Sequence, residues 1–72
     1  MNDVRYYQDH DHADWIVRVW RDEDGKRRGE MWDFKDKEWF EADRTAWNVA
    51  DEIYENHPLT EKMVEEITGV KL

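Results

Sequence analysis

His10 and His12 stand two residues apart in "DHDHAD" (residues 9–14), among Asp9, Asp11 and Asp14. In an extended segment, side chains two apart point the same way. Two imidazoles and one carboxylate so placed could chelate zinc or nickel. A specific site needs a third or fourth fixed ligand. His57 is the only other histidine, and its spacing puts it on the packed face of a helix. The segment also precedes the first clear strand, where chains are often loose. It therefore reads as an acidic lead-in, with no metal site and no cofactor.

Other chemistry has little to work with. The chain holds no serine and no cysteine, and no glycine-rich phosphate loop. Its 19 acidic residues are too many for any one carboxylate pair to stand out as an acid–base couple. With 72 residues there is little room for a closed pocket. His57 reads as a satisfied histidine near a helix C-terminus. The expectation is a protein that is not an enzyme.

The elements that would position these residues follow from periodicity. "DWIVRVW" is β-branched and aromatic, as strands are. Asp24-Gly25 marks a turn, since Gly takes positive φ freely. "EMWDF" and "EWFEA" read as two further strands. The result is a three-stranded antiparallel sheet at about 15–20, 30–34 and 38–42. From 44 the apolar period becomes helical: Ala46, Ala50, Ile53 and His57 share a face flanked by Trp47, Val49 and Tyr54. Asp43 suits the N-cap, and Pro58 ends the helix at or before residue 57. A second helix spans 61–68. Thr60 is its N-cap, Leu59 and Val64 are placed as a hydrophobic staple, Gly69 takes the left-handed C′ position, and Val70 folds back on Val64. The class is α+β, with the first helix laid on one sheet face. Residues 1–14 form an acidic segment, with an edge strand at 4–8, and 15–72 form one small domain.

Bulk composition bounds the rest. Charged residues make up 42% and the formal net charge is −8, a balance typical of disorder. Five Trp, three Tyr and two Phe argue instead for an aromatic core, because each buries a large area. The lack of cysteine excludes disulfides and thiolate zinc sites. No apolar run is long enough to span a membrane, and the polar start does not resemble a signal peptide. A cytoplasmic protein is expected.

Three surfaces remain as candidates. With Trp15, Val17, Val19, Trp32, Phe34 and Phe40 placed under the helix, the other sheet face carries Ile16, Arg18, Trp20, Met31, Asp33 and Trp39. Ile16, Arg18, Trp20, Met31 and Trp39 are then the expected partner-binding residues, since such types recur at interface hot spots. The partner would be another protein or a second copy of the chain. The second surface is the hairpin bearing Arg18, Arg21, Lys26, Arg27 and Arg28, which would contact nucleic acid. The third is the carboxylate field, with Asp51 and Glu55, and Glu61 and Glu65, one helical turn apart. Like charges at that spacing repel, so these pairs suggest imitation of DNA phosphates toward a basic partner.

Two resemblances bear on the choice. "WIVRVWRDEDGKRR", followed by more strand and a helix, resembles the arm-binding domain of tyrosine recombinases. That family places a three-stranded sheet in the major groove with a helix behind it. The likeness covers about half the chain. Its middle strand should be basic, whereas "EMWDF" carries Glu30 and Asp33, and a domain of net −8 is poorly suited to neutralising phosphates. "MWDFKDKEWFEADRTAWNVADEIYENHP" is similar in style to small acidic accessory proteins of actinobacterial phages. That likeness implies a non-enzymatic modulator or inhibitor of a host protein. The leading expectation is a small acidic protein-interaction module.

Overall fold

In the computed structural model the chain is described over residues 3–52 and 57–72. The elements run β1 (Arg5–Gln8), β2 (Ile16–Arg21), β3 (Arg27–Asp33), β4 (Glu38–Glu41), α1 (Asp43–Asp51), β5 (His57–Leu59) and α2 (Glu61–Thr68). The strands form one antiparallel sheet in the order β4-β3-β2-β1-β5. The class is α+β as expected, but the sheet has five strands rather than three. The segment at 4–8 is no edge: β1 lies between β2 and β5. The edges are β4 and β5, and both are short, which limits exposed pairing groups. No described helix is long and apolar enough to cross a membrane.

The first four strands form a meander, and α1 then carries the chain from the β4 edge to the β5 edge. Crossing the sheet, α1 lies chiefly on β3 and β2. Val17, Val19, Ala46, Trp47 and Val49 form the buried core between helix and sheet, with Tyr7, Trp15, Met31 and Ala50 packed around it. The helix comes down onto Gly29, where a side chain would collide with Ala46. Its start is tied to the same residue. Ala42 N–H donates to Gly29 O at 3.0 Å, and Gly29 N–H donates to Asp43 Oδ1 at 2.8 Å.

These bonds correct the expected cap. Ala42 is the N-cap and makes no side-chain cap bond; Asp43 is the first helical residue, its carboxylate used on the β3 backbone. The helix also ends at Asp51, well before Pro58, and His57 stands in β5, paired with Gln8. Proline fits a short edge strand, where a missing N–H costs no ladder bond. Ile53, Tyr54 and Glu55, expected on this helix, lie outside the described residues.

The assignment of β3 to faces needs a one-residue correction. Val17 pairs Met31, and Met31 pairs Phe40, so Met31 belongs with the α1 face. Trp32 and Phe34 belong with Ile16, Arg18, Trp20 and Trp39 on the opposite face. Apolar pattern alone favoured turning the two aromatics toward the helix. The helix needs the opposite, because its close approach requires Gly29 on that face, and a strand's side chains alternate. Phe40 and Trp39 sit on the faces expected for them.

The second face is not bare. Tyr6, Ile16 and Trp32 are buried, Ile16 completely, as is Val64 of α2; none of these belongs to the α1-side core. The α2 boundaries agree with expectation. Thr60 Oγ1 accepts from Met63 N–H at 3.1 Å, and Gly69 closes the helix at φ 74. Val70, expected to fold back, is 40% exposed instead.

Candidate binding surface

The histidine segment is ordered by its own polar groups. Asp9 N–H donates to Trp15 O at 3.1 Å, and Trp15 N–H to His12 O at 2.9 Å, which turns the chain tightly between β1 and β2. The buried Asp9 carboxylate accepts from Asp11 N–H at 3.1 Å and lies 2.8 Å from His12 Nδ1. The imidazoles therefore do not share a side, as an extended segment would give. His12 stacks on Trp15 with ring centroids 4.0 Å apart, whereas His10 stacks on His57 at 5.7 Å. Among the described residues no three His, Cys, Asp or Glu side chains are grouped to hold a metal ion.

The basic hairpin is engaged internally. Asp22 organises the turn: its carboxylate accepts from Asp24 N–H and Lys26 N–H, each at 2.9 Å, and from Arg28 Nε at 3.1 Å. The Lys26 amide is the largest influence on this carboxyl and holds it below the usual carboxylate range, against an opposing effect of partial burial and with help from Arg28 and Asp24. Arg28 also faces Asp43 at 3.7 Å, and its guanidinium is held above its ordinary value, first by the bond to Asp22. Arg27 pairs with Asp51 at 3.1 Å and lies over the Trp47 ring at 4.5 Å. Arg21 donates to Gly25 O at 2.9 Å. Arg18 donates from Nε to Glu30 at 2.7 Å and sits 4.3 Å over the Trp39 ring. Of the five residues expected to touch nucleic acid, only Lys26 has its side chain left out of such contacts among the described residues.

The aromatic sheet face is braced in the same way. Trp39 touches Trp32 at 5.2 Å and Tyr6 at 6.2 Å between centroids, and Trp32 meets Phe34 edge-on at 6.4 Å. The expected partner-binding set is thus divided. Ile16 is fully buried, Arg18 and Trp39 form part of an internal stack, Trp20 is half-buried, and Met31 lies under α1 on the other face.

Phe34 and Phe40 are exposed at 42% and 44%, one on each sheet face, whereas more of the exposed apolar side chains gather on and after α2. On α2, Met63 and Ile67 are one turn apart and 43% and 38% exposed, and Val70 and Leu72 beyond the helix are 40% and 43% exposed. At helical spacing Val64 faces inward, and Met63 and Ile67 flank it on one side with Glu66 beyond them. Met63, Val64 and Ile67 form the apolar stripe of α2, of which only Val64 is buried. The signal was present in the charges: α2 has three glutamates and one lysine in eight residues, so the polar arc crowds the apolar one. No known protein family matches this chain, nor does any curated protein or solved structure.

Proposed function

We propose that this chain is a non-enzymatic protein-interaction module, and that its contact surface is the apolar side of α2 with the residues that follow it. The carrying observation is the run Met63, Ile67, Val70 and Leu72, four large apolar side chains exposed within ten residues. Contiguous exposed apolar surface rimmed by charge marks interaction sites. The occupant is a partner protein with a basic rim. Glu61 and Glu66 flank the stripe, and the chain carries a net charge of −8. A second copy would bring the same charge to the contact, whereas a basic partner is steered toward it. The likeness in style to small phage accessory proteins fits a modulator or inhibitor of a host protein.

The test is capture from cells of the natural source with the intact chain and with a Met63→Glu/Ile67→Glu variant. Both positions are exposed, so the variant should melt within about 0.5 kcal/mol of the parent. A basic protein held by the parent and released by the variant supports the reading. Identical captured sets, or a parent that only self-associates, overturn it.

A further inference from the structure

Strand β4 is an open edge of the sheet, and alternation decides which of its backbone groups are open. Ala42 N–H donates to Gly29 O at 3.0 Å, which makes Gly29 and Ala42 a hydrogen-bonded pair. In an antiparallel ladder such pairs alternate with non-bonded ones. Along the β3–β4 register, Phe40 and Glu38 therefore bond to Met31 and Asp33, whereas Trp39 and Glu41 turn their backbone groups away from β3. The N–H and C=O groups of Trp39 and Glu41 point off the edge and have no partner among the described residues. The opposite edge differs. Strand β5 carries Pro58, a residue that blunts an edge by removing a donor.

The side chains of β4 say what the edge would accept. Glu38 and Glu41 are exposed at its two ends, with Trp39 half-buried and Phe40 44% exposed between them. Each glutamate stands directly opposite another acid: Glu38 faces Asp33 and Glu41 faces Glu30. Like charges so paired repel. Arg18 neutralises Glu30. No cation lies within ion-pair distance of Asp33, Glu38 or Glu41 among the described residues, Lys35 and Lys37 of the adjoining turn included. Arg28, whose guanidinium feels Glu41, is already held by Asp22 and Asp43. A strand added beyond β4 would set one residue beside each glutamate, on the side away from β3.

We infer that β4 is a docking edge for an extended segment of a partner protein, with the pattern basic–apolar–apolar–basic. Its backbone bonds to Trp39 and Glu41. Its basic ends lie opposite Glu38 and Glu41, and its two apolar residues opposite Trp39 and Phe40. Main-chain bonds hold such an added strand, and the side chains select it. The pattern reads the same in both directions, so it suits parallel and antiparallel addition alike. A second copy of this chain is disfavoured as the occupant. It would bring its own Glu38 and Glu41, and a further net charge of −8, to an edge that is already acidic. This edge includes no residue of α2 and is independent of the stripe on that helix.

The test is an NMR titration of the full chain with a capped peptide, Thr-Thr-Lys-Val-Ile-Lys-Thr-Thr, and with the same peptide carrying Glu in place of both Lys. The basic peptide should shift the Trp39 and Glu41 backbone amides and slow their hydrogen exchange. The acidic peptide should bind about tenfold or more weakly, since both cross-strand pairs change from attraction to repulsion. Glu38→Lys with Glu41→Lys, both at exposed positions, should reverse that preference, which an unfolded variant could not do. No binding of the basic peptide, equal affinity for the two, shifts confined to residues outside β4, or unchanged exchange at Trp39 and Glu41 would overturn the inference. So would self-association of the parent chain through β4.

Discussion

Gly29 and Ala46 meet without room for one more carbon: a Cβ on Gly29 would lie 2.5 Å from the Ala46 Cβ. The same glycine bonds to both Ala42 and Asp43, so the seat of α1 on the sheet is fixed at a single backbone position. Gly29→Ala must lift the helix or bend β3, and overpacking of this kind costs about 1–3 kcal/mol. Urea denaturation should show a lower midpoint with an unchanged slope.

Trp47 anchors the other end of that contact. Its indole N–H donates to Arg28 O at 2.8 Å while the ring is 7% exposed. Trp47→Phe keeps most of the apolar area but strips the carbonyl of its donor. An unsatisfied carbonyl in that place costs about 1–3 kcal/mol. A melt equal to the parent's would show that water replaces the indole.

Asp22 sets a direction for acid sensitivity. Its carboxyl is held below the usual range, first by the Lys26 amide, so the native chain gives up this proton more readily than the unfolded chain. The stabilisation it supplies is complete above the ordinary carboxylate pKa and is lost as pH falls through the lowered native value. Thermal melts of the parent and of Asp22→Asn should differ at neutral pH and converge in acid. A gap that stays constant across that range would contradict the assignment.

On the second sheet face the aromatics are structural. Trp39 contacts Tyr6, Trp32 and Arg18, so Trp39→Ala should cost about 2–3 kcal/mol, somewhat below a fully buried Trp→Ala change. Trp20, with no such contacts among the described residues, should tolerate alanine within about 1 kcal/mol. Circular dichroism melts of the two variants separate these roles; equal losses would show that the face is held together differently.

The contrast between these two tryptophans shows what could be read from the chain alone. Alternation marks strands well, and Thr60 and Gly69 mark the ends of α2 through cap chemistry that is local. Facing is not local. Trp32 and Met31 are both apolar, and only the close approach at Gly29 decides which of them meets α1. His57 closed a helical pattern on paper, with Pro58 as its stop, yet β1 offers an edge there, and pairing with Tyr6, Tyr7 and Gln8 outweighs the pattern. The arginines looked like a nucleic-acid surface because the carboxylates that neutralise three of them, Glu30, Asp43 and Asp51, sit at distant sequence positions or on another strand. Asp22, adjacent in the turn, was the one partner within reach of sequence reasoning.

The central claim, that the exposed side of α2 holds a basic partner protein, is tested most directly by the affinity of a captured partner for the parent chain and for Ile67→Glu, each measured by calorimetry at low and at high salt. The account predicts a loss of about tenfold or more for the variant, the usual size of a hot-spot residue, and a parent affinity that falls as salt rises. Equal affinities for the two chains, or binding indifferent to salt, would contradict it.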